Sequence, residues 1–147
     1  MKKSKNALVI LAGGYGKRFN NKLPKQFNEI NGENLIDFFL NRIDINIFDI
    51  ILIVTKKSFQ RHTKHLETKY PLINFIYAEA GKNRQLSSLN ALKKLNKHKP
   101  DNVLIHDAAR PFCSNSLIIK ILRNLNNNES AIPYILSPDK KIVSKKE

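Results

Sequence analysis

The sequence predicts an α/β fold, a doubly wound and mostly parallel sheet with helices on both faces. Three observations carry that prediction. Short β-rich runs alternate with stretches of helical spacing, the pattern of consecutive βαβ units. The stretches between the runs place apolar residues three and four apart, as a helix packing on a sheet must. A length of 147 residues, 41% of them hydrophobic, gives room for one sizeable core and not two, so residues 1–147 are expected to form a single domain.

In chain order, the runs are Ala7–Leu11, Asp49–Val54, Asn74–Tyr77, Asn102–His106 and Ser130–Leu136. Between them, Leu35, Ile36, Phe39, Leu40 and Ile43 predict one apolar helix face. A second is predicted from Leu86, Leu89, Leu92 and Leu95, with Leu86, Leu89 and Leu92 facing inward. A third comes from Leu117, Ile118, Ile121, Leu122 and Leu125, with Ser114 as its N-cap. Ser58–Tyr70 is more polar and reads as an exposed helix. The end, Lys140–Glu147, is charged and brings no helix to cover a fifth strand, so the domain is expected to be incomplete at its C-terminus.

Composition excludes several classes of protein. No apolar run approaches the roughly 18 residues of a membrane span. The apolar stretch Ala7–Ala12 behind Lys2, Lys3 and Lys5 is too short for a signal peptide and runs into glycines. One cysteine, Cys113, excludes an intrachain disulfide framework and fits a reducing cytoplasm; it reads as a packing residue. The net charge of +14 raises the question of a nucleic-acid partner. However, 20 of the 26 basic residues are Lys, they are scattered over most elements, and 18 Asn and 18 Ile accompany them. All three residue types have AT-rich codons, so the charge alone argues weakly for nucleic acid.

In open parallel sheets ligands bind at the carboxyl ends of the strands, and there the chemistry is found. After the first run comes LAGGYGKRF and then NNKLPKQF. Gly13, Gly14 and Gly16 let the backbone approach a ligand, and a nest of exposed N–H groups suits an anion. Lys17, Arg18, Lys22 and Lys25 add the cations a triphosphate needs. This is not a P-loop, since G-x-x-x-x-G-K-[ST] is absent, and Phe19 stands where a dinucleotide fingerprint needs a small residue. After the third run, EAGKNRQLSSLNAL opens a helix at Asn83 or its neighbours, with Ser87 one turn in, facing a base edge or a backbone group. After the fourth, VLIHDAARPF delivers His106, Asp107 and Arg110 to the same edge. Asp107 suits Mg²⁺ and Arg110 a phosphate, or the two form a salt bridge that closes the loop. His62 and His65, lacking a further ligand, read as solvated and not metal-binding.

In this order, LAGGYGKRF with PKQF, then Gly81 to Ser87, then HDAARPF resemble the 2-C-methyl-D-erythritol 4-phosphate cytidylyltransferases of the non-mevalonate isoprenoid pathway. The resemblance runs from residue 7 to residue 112 and more faintly to residue 135. Sugar-nucleotide pyrophosphorylases share the first loop; Gln26 after Pro24-Lys25 and the run from His106 to Pro111 point to the cytidylyltransferase branch. The alternatives are a ribitol 5-phosphate cytidylyltransferase and a basic nucleotide- or RNA-binding module without turnover.

The resemblance implies a Rossmann-like domain of the nucleotide-diphospho-sugar transferase type, a cytoplasmic homodimer, and CTP, Mg²⁺ and a sugar-alcohol phosphate as ligands. It implies backbone contacts to the nucleotide from Ala12, Gly13, Gly14 and Gly16, and charge stabilisation on the triphosphate by Arg18 and Lys25. Gly81 and Ser87 would read cytosine, and Ala108 would lie beside the ribose. Asp107 would help hold Mg²⁺ or the sugar phosphate, and Arg110 its loop or the second substrate. The chain departs from the family pattern at Leu11, where proline is usual, and at Gly13, where alanine is common. It also departs at Leu136 and Ser137, where Asp and Thr are expected.

Overall fold

A computed structural model of the chain describes residues 4–14, 23–29, 31–125 and 128–134. Four strands form one sheet: β1 Asn6–Leu11, β2 Ile50–Thr55, β3 Asn74–Glu79 and β4 Asn102–Asp107. Their spatial order is β3-β2-β1-β4, and every pairing is parallel. The central position of β2 explains its composition. IILIVT is buried along its whole length, as a strand covered on both faces must be. Each of its apolar side chains contributes roughly 1.5–3 kcal/mol by leaving water.

The helices between strands are α1 Leu35–Leu40, α2 His65–Lys69 and α3 Arg84–Leu95, followed by α4 Asn115–Leu125. Asn34 starts α1 by accepting from the N–H groups of Ile36 and Asp37 at 2.9 and 3.0 Å, and Asn83 starts α3 by accepting from Leu86 N–H at 2.8 Å. The two helices lie on opposite faces of the sheet. Ala91 and Leu95 of α3 pack with Val9, Leu52 and Val54. On the other face Phe39 of α1 stacks on His106 of β4, with ring centroids 4.0 Å apart. Since neighbouring strand residues point to opposite faces, His106 turns to α1 and leaves Asp107 on the side of α3. Burial holds the His106 imidazole below the usual histidine pKa, which favours the neutral ring.

Three expectations are corrected. Leu86, Leu89 and Leu92 do not face the sheet; they are 40–44% exposed, and the inner face is Ser87, Ala91 and Leu95. Leucines every third residue drift back by roughly 60° per step on a helix of 3.6 residues per turn, so Leu95 lies opposite Leu86. The small residues at 87 and 91 let the helix approach the strands. The polar stretch after β2 is mainly a 3₁₀ segment, Lys57–Thr63, and only its end forms α2. Finally, Ser130–Tyr134 is not a strand: Ile132 and Tyr134 are 83% and 75% exposed, and no ladder partner holds them. Residues 135 and 136 of that run lie outside the described part. Of the two histidines read as solvated, His65 is exposed and His62 half-buried, and each also has a protein neighbour. His65 Nε2 meets Asp37 Oδ1 at 2.7 Å, and His62 stacks on Phe27 at 5.6 Å.

Two compact units divide the chain, Met1–Asn115 and Ser116–Glu147. The first holds the sheet and α1 to α3. In the second, α4 begins directly after Ser114 and buries Ile118.

The helix correction is measurable. Leu95→Ala should destabilise the protein by about 2–5 kcal/mol in urea unfolding, as core leucines do. Leu89→Ala should cost about 1 kcal/mol or less, because much of that side chain already meets water. Equal losses would restore the leucine face inferred from spacing.

Candidate functional site

The register of the sheet brings the three motif segments to one edge. Leu11 pairs with both Val54 and Asp107, so the loops after β1 and β4 leave the sheet side by side. The backbone continues the match: Ala12 N–H donates to Val54 O at 2.8 Å, and Ala108 N–H donates to Leu11 O at 3.1 Å. At this edge lies a pocket of about 420 Å³. Gly13 and Gly14 line it from the first loop, with Lys25 and Gln26 beyond them. Gly81, Asn83, Arg84 and Ser87 line it from the start of α3, and Asp107 and Arg110 from the end of β4.

Of the residues singled out from sequence, Gly13, Gly14, Lys25, Gly81, Ser87, Asp107 and Arg110 all line this pocket. Ala12 and Ala108 do not line it: each is 2% exposed and sits next in sequence to a lining residue, Gly13 and Asp107 respectively. Gly16 and Arg18 lie outside the described residues.

Close packing explains the glycines at 13 and 81. A Cβ on Gly81 would lie 2.5 Å from Leu86 Cβ and 2.8 Å from Ser87 N, so the turn into α3 has no room for one. The Gly81 N–H is then free to donate to Ser87 Oγ at 3.0 Å. That bond answers what the serine meets: a backbone group, with its own hydroxyl proton left to donate. A Cβ on Gly13 would lie 2.4 Å from Ala80 Cβ. Glycine in place of the family's common alanine is therefore matched by a methyl group on the facing loop.

Sequence reasoning left three contributors without a role. Gln26, 3% exposed, donates through Nε2 to Ala12 O at 2.6 Å and to Gly14 O at 2.9 Å. Arg84 reaches across from α3, its Nε 3.0 Å from Asp107 Oδ1. Lys82 is a further exposed cation on the rim. Arg84 stood in a quoted motif, but only the fold shows that the first turn of α3 faces the end of β4. Arg110 Nε lies 3.4 Å from Asp107 Oδ2, so the anticipated salt bridge is present and Arg84 doubles it. Both arginine side chains are more than 60% exposed, so the pairs are screened by water and add little stability.

Among the described residues the pocket thus presents Lys25, Lys82, Arg84 and Arg110 against one carboxylate, Asp107. That balance suits a polyanion. Among the described residues no three His, Cys, Asp or Glu side chains gather as a metal cage. A single carboxylate in a cationic pocket would fit Mg²⁺, which takes most of its ligands from phosphates and water. Cys113 has no place in the pocket lining, and burial raises its thiol pKa, opposite to what a reactive thiolate requires.

The glycine packing gives a direct test. Gly13→Ala should cost about 1–3 kcal/mol by overpacking, and Ala80→Gly added to it should recover most of the loss. Gly14→Ala, whose Cβ meets nothing within 4 Å, should change stability by about 0.5 kcal/mol or less. Urea unfolding of the three variants checks all of this; no recovery in the double variant would remove Ala80 as the cause.

Comparison with known proteins places these features in one lineage. The chain is 37% identical over 132 residues to the 2-C-methyl-D-erythritol 4-phosphate cytidylyltransferase of Thermosipho melanesiensis, covering 88% of this chain and 58% of that protein. It is 33% identical over 135 residues to the enzyme of the same name from Thermotoga neapolitana, covering 91% and 60%. The crystal structure of 4-diphosphocytidyl-2C-methyl-D-erythritol synthase from Anaerococcus prevotii superposes with a TM-score of 0.68 at 27% identity, covering 86% of this chain and 53% of that one. The chain therefore spans little more than half the length of these relatives. The family profile described as 2-C-methyl-D-erythritol 4-phosphate cytidylyltransferase matches residues 6–143, a span that takes in the whole sheet and every loop of the pocket. By sequence and by fold, the chain belongs to the 2-C-methyl-D-erythritol 4-phosphate cytidylyltransferase family.

Proposed function

We propose that this chain forms the CTP-binding part of an enzyme that transfers CMP from CTP to 2-C-methyl-D-erythritol 4-phosphate and releases pyrophosphate. One observation carries the proposal. A single pocket gathers the glycine loop, four cationic side chains and one carboxylate at the carboxyl edge of a parallel sheet. The names of the relatives supply the substrate and the product, and the place in isoprenoid precursor synthesis, implied by the family resemblance, belongs to the same proposal.

In this reading Gly13 and Gly14, with Ala12 and Gly16, offer backbone groups to the nucleotide, and Ala108 lies beside the ribose. Gly81 and Ser87 present a fixed N–H and hydroxyl pair to the cytosine edge. Lys25 and Arg18 carry the charge that grows on the triphosphate as the α-phosphorus is attacked. Arg110, exposed at the far side, meets the phosphate of the second substrate. A phosphate oxygen of that substrate forms the new P–O bond while the bond to pyrophosphate breaks, so no protein nucleophile is needed. Catalysis is then the neutralisation and alignment of two polyanions. Mg²⁺, when bound with CTP, would neutralise phosphate charge, and Asp107 would reach it by exchanging one guanidinium partner. The homodimer and the cytoplasmic location implied by the family belong to the same proposal. So does the view of both units as parts of one nucleotide-binding domain.

The test is calorimetric titration of the chain with CTP, ATP and GTP, with and without Mg²⁺. CTP should bind in preference to the purine nucleotides. Lys25→Ala should weaken it by at least about tenfold, or about 1.4 kcal/mol. Equal affinity for all three, fading with salt, would instead describe a basic module that binds any polyanion.

A further inference from the structure

We propose that Gln26 sets the backbone of the glycine loop for anion binding: its carboxamide turns the Ala12–Gly13 peptide so that the Gly13 N–H faces the ligand. The inference deepens the proposed function and rests on it. The side chain uses both of its amide protons on this loop, one to Ala12 O at 2.6 Å and one to Gly14 O at 2.9 Å. A carboxamide supplies both donors without burying a charge. Glutamate would present acceptors to two acceptors, and an apolar side chain would leave both carbonyls unpaired.

The geometry then fixes the opposite side of the peptide. Every peptide bond in the described chain is trans, so a C=O and the following N–H point in opposite directions. With Ala12 O drawn to Gln26, the Gly13 N–H is turned away from it. The preceding peptide plane is fixed already, since the Ala12 N–H is held by Val54 O at 2.8 Å, so the bond from Gln26 sets the rotation that remains to the Ala12–Gly13 plane. The anchor is firm as well. Gln26 sits in the short 3₁₀ turn Lys25–Phe27, and Phe27 is buried and stacked with Phe59 at 5.7 Å. The same turn carries Lys25 to the pocket, so one tie places both the backbone donor and the ammonium group. Glycines alone would leave the loop free to turn its carbonyls toward a phosphate. Gln26 removes that alternative, and is a positioning residue acting through the loop.

The experiment compares the wild-type chain with Gln26→Glu and Gln26→Met. Each is titrated with CTP, ATP and inorganic tripolyphosphate at about pH 8 and about pH 6, after melting curves show that it is folded. Gln26→Met should bind tripolyphosphate at least about tenfold more weakly at both pH values. Gln26→Glu should match that loss at the higher pH. Burial against two carbonyl oxygens disfavours the carboxylate and raises its pKa, so at the lower pH binding should recover toward wild type as the protonated carboxyl regains one donor; a purely space-filling role would not produce this pH profile. In the wild-type chain, exchange of the Gly13 amide proton, followed by NMR, should slow on adding tripolyphosphate. That reading stands even where a variant does not fold. Selective CTP binding by the wild type, with unchanged affinity in either variant or an indifferent Gly13 amide, would overturn the role of Gln26 and leave the proposed function intact. Tripolyphosphate binding that follows the expected pattern without preference for CTP over ATP would uphold Gln26 and remove the cytidylyltransferase reading. Binding of neither ligand would remove both.

Discussion

The parallel ladders on both sides of β1 are the constraint from which the site follows. Strand β1 pairs with β2 along one edge and β4 along the other, in a register that ends at Leu11, Val54 and Asp107 together. A parallel pair cannot be closed by a tight turn, so the chain must cross over between strands and return from the same end. It does so toward β2 and β3 on one side of β1 and toward β4 on the other. The loops that leave β1 and β4 therefore diverge and open a crevice between them, which is the usual ligand position in such sheets. Helix α3 closes the third side, and it can come near only because Ser87 and Ala91 are small on its inner face.

Much of this was legible in the sequence where a local rule decides the outcome. Four of the five β-rich runs became strands because each is apolar enough to be covered by neighbours, and β2 is the extreme case. The glycine-rich loop, the segment from Gly81 to Ser87 and the HDAARPF segment were recognisable as chemistry, and the pocket does join them. The strand at Ser130–Leu136 shows where the rule stops. A strand is a relation between segments, and β-rich composition does not supply a partner for Ile132 and Tyr134.

The helical errors have the same origin at a smaller scale. Leucines at 86, 89, 92 and 95 look like a stripe, yet three-residue spacing winds around the helix and only Leu95 ends up inside. At the site, Gln26 and Arg84 act across gaps of 12 to 14 and of 23 residues. Such bonds depend on how the turn at Lys25–Phe27 lies against β1, and on which end of α3 meets β4. No spacing rule reports either. The neighbour of Gly13 is equally hidden, since Ala80 looks like any loop alanine until the two loops are laid together.

The double pairing of Asp107 has a practical consequence. Its contacts to Arg84 at 3.0 Å and to Arg110 at 3.4 Å are mostly exposed on the arginine side, so they compete directly with dissolved ions. The arrangement in which one carboxylate holds two guanidinium groups describes a pocket bathed in dilute electrolyte. At an ionic strength near 1 M the screening length falls to about 3 Å, and the carboxylate loosens its hold on both. Sulfate or phosphate used as a buffer would go further and draw the guanidinium groups to itself. The resting geometry of this edge is thus partly a property of the medium, and a purification buffer chosen without regard to its anion would put the protein in a different state before any nucleotide is added.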